Sequence, residues 1–185
     1  MILPIYLYGQ PVLRKTAQDI SPDYPKLQEL IANMFDTMYN ADGVGLAAPQ
    51  VGAGIRLFII DLEPIAEDEP KYKGFRKVFI NPQITERTGE IVSVQEGCLS
   101  ISGINETVPR EEKIRIKYFD ENFIEHDEEY DSFFARCIQH EYDHLEGVLF
   151  IDKISGIRKQ LIKSKLTNLI KGKTNCHYRV KAIQK

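Results

Sequence analysis

Gln139-His140-Glu141-Tyr142-Asp143-His144, continued by Leu145-Glu146-Gly147, is the stretch around which the rest of the chain is organised. In a helix, residues four apart lie about 40° from one another around the axis, so His140 and His144 project from one face, one turn apart. Two imidazoles so placed can grip one cation. Glu141 stands one residue past the first histidine, within reach of that cation's water without being a ligand itself. This is the H-E-x-x-H pattern. The plain alternative is two histidines that share an ordinary helix face by chance, and a third ligand decides between the two.

In the longer zinc-protease motif the helix ends at Gly and a third His follows three residues on. Here Gly147 matches, but Phe150 stands at the ligand position. The third ligand must come from elsewhere, and the candidates are Cys98, Cys137, Cys176, His126, His177 or a carboxylate. Cys137 lies three residues before His140 on the same helix, where it is expected to pack as a small hydrophobe. Cys98, in Gln95-Glu96-Gly97-Cys98-Leu99-Ser100, closes a strand-like run ahead of turn residues, a suitable place for a ligand.

Composition narrows the class. With 185 residues and 43% hydrophobic content, the chain is read as a single domain, 1–185, able to bury a substantial core. A net charge of -3 gives no broad attraction to nucleic acid, although the stretch from Arg158 to Lys185 is locally basic. Three cysteines are too few for a disulfide scaffold, which points to a reducing, cytoplasmic setting with free or metal-bound thiols. The apolar start, Met1 to Leu7, has no basic n-region and is broken by Pro4, so it does not read as a signal peptide. No stretch approaches the roughly 20 apolar residues of a membrane span.

Gly9, Pro11, Ser21 and Pro22 mark residues 9 to 23 as an extended arm. From Pro25 to Asn40, Leu27, Leu30, Ile31, Met34, Phe35 and Met38 recur at helical spacing, with Asp23 as candidate cap. Residues 42 to 54 carry glycines at 43, 45, 52 and 54. This is no phosphate loop, since it follows a helix and lacks the Lys-Ser/Thr pair, but its glycines allow an extended peptide to approach as an added strand. Gln50 is its one side chain with both donor and acceptor capacity. Ile55–Asp61, Lys77–Ile80 and Gly89–Val94 read as strands, with a turn at Asn81-Pro82, and 64–73 reads as a mobile acidic loop. Lys113–Phe119, a turn at Asp120-Glu121-Asn122 and Phe123–Tyr130 form a hairpin signal. The histidine helix is predicted over Ser132–Leu145 with Asp131 as cap and Gly147 as stop, and a last helix over Gly156–Ile170 with solvated lysines. Helices segregate from strands, so the fold expected is α+β: mostly antiparallel sheets around a central metal-binding helix, with one N-terminal and one C-terminal helix.

Gly43-Val44-Gly45-Leu46-Ala47-Ala48-Pro49-Gln50, Glu96-Gly97-Cys98-Leu99-Ser100 and the histidine stretch, in this order and spacing, resemble the peptide deformylase family from about residue 9 to about 155. Each motif is weak alone; the three together are specific. The resemblance implies Cys98, His140 and His144 as metal ligands, with Fe2+ bound in the cell and Zn2+, Ni2+ or Co2+ able to substitute. It implies removal of the N-formyl group from the initiator methionine of nascent peptides. Glu141 then serves as general base and acid, while the Gln50 amide and the Leu99 backbone N–H face the developing oxyanion. It places Gly43, Val44, Gly45, Val94, Gly97, Phe133 and Cys137 at the substrate, and makes Glu96 and Arg110 a bracing ion pair. A monomer is expected, with the basic C-terminal segment facing the ribosome near its exit tunnel. Family members often have Pro at the position of Ser102 and a basic residue at that of Asn105, so peptide contacts from that loop differ here.

Three other readings compete: a metalloendopeptidase, a structural zinc site, and a chain of the deformylase fold that binds some other acylated substrate. A metalloendopeptidase is favoured by H-E-x-x-H alone and disfavoured by Phe150. A structural zinc site would close its fourth position with His126, Cys176 or His177.

Overall fold

The computed structural model describes residues 1–183, so 184 and 185, the end of the basic segment, lie outside the described residues. The chain opens with strand β1 (Ile5–Tyr6) and an arm containing a 3-10 turn at Pro11–Arg14. As its punctuation predicts, the arm lies over the body: Ala17 N donates to Leu145 O at 2.8 Å, and Gln18 bridges to Ile55. Helix α1 (Leu27–Asn40) buries Leu27, Ile31, Met34, Phe35 and Met38, the stripe that the helical spacing predicts. Asp23 is not its cap. The helix starts after Lys26, whose φ of 57° turns the chain, and the Asp23 carboxylate accepts from Ser21 Oγ instead.

Five strands then form one antiparallel meander in chain order: β2 (Gly45–Ala47), β3 (Leu57–Asp61), β4 (Arg76–Gly97), β5 (Asn105–Phe119) and β6 (Glu125–Asp131). All of β3 is buried because both faces of the sheet are covered. Strand alternation sends Leu57 and Ile59 to the α1 side, with Val78 and Ile80, and Phe58 and Ile60 to the opposite side, with Phe79, Ile114 and Ile116. There helix α2 (Ser132–Leu145) contributes Ala135, Ile138 and Leu145 to the core. The helix carrying the histidine pair is thus fixed against the sheet by its apolar side.

The sequence reading of β4 needs correction. Lys77–Ile80 and Gly89–Val94 belong to one long strand, and Asn81-Pro82 is a bulge within it rather than a turn between pairs. Pro82 lacks a ladder donor, and the register shift between Ile80 and Gln83 absorbs it. The Asn81 amide is held by the Ile20 backbone at 2.9 and 2.7 Å. Similarly β5 starts at Asn105, well ahead of Lys113. Its inward positions include the buried Glu106 and Arg110, so charged side chains hid the alternation. The acidic loop holds short 3-10 turns at Glu63–Ile65 and Pro70–Tyr72, and the buried Tyr72 anchors it by packing on Phe133 and Phe134.

Helix α3 (Gly156–Ile170) buries only Ile162 and Leu169, leaving its lysines solvated as expected, and Ser155 Oγ caps it by accepting from Arg158 N at 3.3 Å. Strand β7 (Val180–Lys181) pairs parallel with β1, Val180 opposite Ile5. Among the described residues, no helix is long and apolar enough to cross a membrane.

Candidate metal centre

Helix α2 starts and stops where its sequence predicts, but Asp131 acts differently from a standard cap. Its carboxylate accepts from Ser132 Oγ at 2.9 Å, and Ser132 takes a φ of 51° at the first position. At the other end Gly147, with φ of 70°, leaves the helix against the Arg14 backbone; a Cβ there would lie 2.7 Å from Arg14 O.

His140 and His144 lie on one side of α2, and the end of β4 brings Cys98 to them: donor atoms of these three residues lie within 4.8 Å of one another. Cys98 Sγ is 3.3 Å from His144 Nε2. The remaining candidates are engaged elsewhere. His126 Nε2 bonds Asp120 at 2.9 Å, His177 Nε2 bonds Asn40 O at 3.0 Å, and Cys176 Sγ donates to Tyr178 O at 3.7 Å. Cys137 packs in the core between sheet and helix. Among the described residues, no fourth Cys, His, Asp or Glu joins the group, which leaves a structural zinc site without its closing ligand.

A buried charge network orients the imidazole of His140. Its Nδ1 lies 2.9 Å from Glu96 Oε2, which leaves Nε2 to face Cys98. Arg110 grips Glu96 in bidentate fashion at 2.6 and 3.0 Å, and reaches Asp143 on α2 at 2.7 Å. Arg136 donates to Glu96 Oε1 at 2.8 Å and to the carbonyls of Val108 and Val92. Burial pushes the Glu96 pKa up, but the bonds from His140 and Arg110 outweigh it and hold the carboxyl well below its usual range. The sequence reading found Glu96 and Arg110 but missed Arg136 and Asp143. Their signal was positional: Arg136 is four residues before His140, and Asp143 three after, on adjoining rows of one helix surface.

Glu141 is 5% exposed and its Oε2 has no hydrogen-bond partner among the described residues. Burial pushes its carboxyl up to about 7. Burial also holds His144 well below the imidazole range, in the neutral form a metal requires. Gln50 is 1% exposed, and its amide is fixed. Oε1 accepts from Ala47 N at 2.8 Å, so Nε2 points into the site, 3.4 Å from Cys98 Sγ and 3.2 Å from Ser100 Oγ. Two imidazoles and one thiol form a three-donor set that fits a catalytic divalent ion, and the buried, unpartnered oxygen of Glu141, next to His140 in the helix, stays free of it.

Cys98, His140, Glu141 and Gln50 line a cleft of about 1000 Å³, and His144 is buried at its floor beside Cys98. Gly43, Val44 and Gly45 form part of its wall, with Gly97, Phe133 and Cys137 among the facing residues. Val94 is outside this lining. It shares the face of Glu96 on β4, but two residues earlier a strand has moved about 6–7 Å towards solvent, and Val94 is 39% exposed.

A sequence profile of the family described as polypeptide deformylase matches residues 2–160. A peptide deformylase of Christiangramia forsetii is 57% identical, covering 98% of this chain and 96% of its own. One from Flavobacterium psychrophilum is 54% identical over 100% of this chain and 99% of its own. The crystal structure of peptide deformylase from Thermus thermophilus superposes with a TM-score of 0.83 at 38% identity, covering 93% of this chain and 99% of that one.

Proposed function

The chain belongs to the peptide deformylase family, and on that premise we propose that Cys98, His140 and His144 hold its catalytic metal while Glu141 handles the proton. The reaction is that of the family: metal-dependent hydrolysis of the N-formyl group from newly made proteins, releasing formate. The observation that carries the residue assignment is the grouping of those three donors within 4.8 Å of one another at a cleft that Cys98 and His140 line together with Glu141 and Gln50.

A divalent ion in this set supplies a Lewis acid that acidifies water and polarises the formyl oxygen. Glu141 receives a proton from the attacking water at its free oxygen and returns it to the departing amine nitrogen, so that water and amide become formate and amine. Burial, which favours the protonated carboxyl, helps it hold the proton between the two halves of that transfer. Gln50 Nε2, held by the bond from Ala47 N to Oε1, donates to the oxyanion with the Leu99 N–H. Gly43, Gly45 and Gly97 let the peptide backbone come close. Val44, Phe133 and Cys137 receive the methionine side chain, whose burial contributes on the order of 1.5–3 kcal/mol.

Iron(II) is the proposed resident metal, replaceable by zinc, nickel or cobalt, because a mixed nitrogen and thiolate set accepts all of them. The protein is proposed to act as a cytoplasmic monomer of one domain, with the basic segment from Arg158 onward turned to the ribosome. The test is formate release from formyl-Met-Ala, formyl-Gly-Ala and acetyl-Met-Ala, with metal quantified in the same sample. Formyl-Met-Ala should exceed formyl-Gly-Ala in kcat/KM by about 10- to 200-fold, and the acetyl peptide should be almost inert. Equal rates on formyl and acetyl peptides would refute the assignment.

A further inference from the structure

The family profile ends at residue 160, yet the chain beyond α3 comes back to the cleft, where Thr174, Asn175, Cys176 and Tyr178 form part of the lining. Two side-chain hydrogen bonds tie this segment to the turn that follows Cys98. The Tyr178 hydroxyl donates to Leu99 O at 2.8 Å, and Ser102 Oγ shares a bond with Thr174 Oγ1 at 2.5 Å. On the opposite side His177 Nε2 bonds Asn40 O at 3.0 Å, at the end of α1 where the glycine stretch begins. Pairing of Val180 with Ile5 then secures the segment to the body.

The turn it braces is small. Leu99–Ile101 is a single 3-10 turn closed by one backbone bond, Ile101 N to Cys98 O at 2.9 Å. Such turns have poor hydrogen-bond geometry and little stiffness of their own. The Leu99 N–H shares its peptide plane with Cys98 O, which Ile101 N holds, and Leu99 O lies in the next plane, which Tyr178 holds, so each plane flanking the Leu99 Cα is restrained by one bond. Without the second restraint, the Leu99 torsions can relax and the N–H can swing. An oxyanion donor works only when it is aimed in advance.

We propose that Tyr178 is a positioning residue for deformylation, its hydroxyl holding the Leu99 carbonyl so that the Leu99 N–H stays directed into the cleft. This rests on the role given above to Leu99. The chain's own C-terminal segment, outside the matched region, therefore takes part in shaping the transition-state site.

The test is Tyr178→Phe in the full-length, metal-loaded enzyme, a change that deletes one oxygen and keeps the ring. The expected result with formyl-Met-Ala is a kcat lower by about 3- to 10-fold, the size of one net hydrogen bond, with KM and metal content of the parent and a Tm lower by no more than about 2–4 °C. Thr174→Val, which removes the second brace, should lower kcat in the same direction by a smaller factor. Parent-like kcat in Tyr178→Phe would overturn the inference. So would a higher KM at unchanged kcat, or a fall in kcat matched by lost metal or by a Tm drop well beyond that of one hydrogen bond. A metal-loaded parent that releases no formate would refute the underlying functional assignment instead, before the variants are compared.

Discussion

Gly45 and Glu141 fit against each other so closely that a side chain on the first would displace the second: a Cβ on Gly45 would lie 2.5 Å from Glu141 Oε1 and 3.0 Å from its Cδ. What must yield is the end of a flexible side chain, so the effect of Gly45→Ala falls on chemistry more than on folding. The expected outcome is retained metal, a stability change of about 1 kcal/mol or less, and a kcat at least about 10-fold lower, because the carboxylate is pushed from the proton it must take. Steady-state kinetics beside a melting curve check it; a parent-like kcat would mean that Glu141 tolerates displacement.

Ligand and base are separable by mutation. Cys98→Ala leaves two donors, which hold a divalent ion poorly, and both metal content and activity should disappear. Glu141→Gln keeps all three donors and should retain metal while losing about 10²- to 10⁴-fold in turnover. Metal analysis of the two purified variants decides, and full occupancy in Cys98→Ala would remove Cys98 from the ligand set.

Arg110 lies between Glu96 and Asp143 with 3% of its side chain exposed. Truncating it leaves two buried carboxylates short of a partner, and the expected cost is about 3–5 kcal/mol of stability. Arg136 still neutralises Glu96 in part. Urea unfolding of Arg110→Ala measures this directly, and a loss below about 1 kcal/mol would show that Arg136 on Glu96 and Lys153, 3.5 Å from Asp143, suffice.

Away from the site, Glu128 accepts from Lys77 Nζ at 2.8 Å and from Tyr118 at 2.6 Å, and also from Tyr130. Burial raises its pKa, but those bonds outweigh it and bring the carboxyl down from 4.5 to about 2. A depressed carboxyl stabilises the fold above its unfolded value, so this contribution is complete above pH 4.5 and is lost as pH falls towards 2. Glu128→Gln should therefore be less stable than the parent at pH 7 and close to it at pH 2.5, in thermal melts across that range. An unchanged difference at both values would argue against the linkage.

Much of this protein is written locally. A 3.6-residue period set α1 within two residues of its limits and put His140 and His144 on one face of α2, whose end Gly147 marks, because helix geometry depends only on neighbours in the chain. The motif order made Cys98 and Gln50 legible as site residues through the family resemblance. The β strands were read less well. Pro82 looked like a break until the sheet accommodated it as a bulge, and Glu106 and Arg110 concealed the inward face of β5. What only the tertiary structure decided are the relationships between distant residues: Cys98 against His144, Arg136 beneath Glu96, Gly45 against Glu141, Tyr178 on Leu99. No periodicity encodes such pairs, since each depends on how the bent β4 strand, α2 and the returning C-terminal segment pack in three dimensions. A buried Arg is read from sequence as a solvated charge until the carboxylate that neutralises it arrives from another part of the chain.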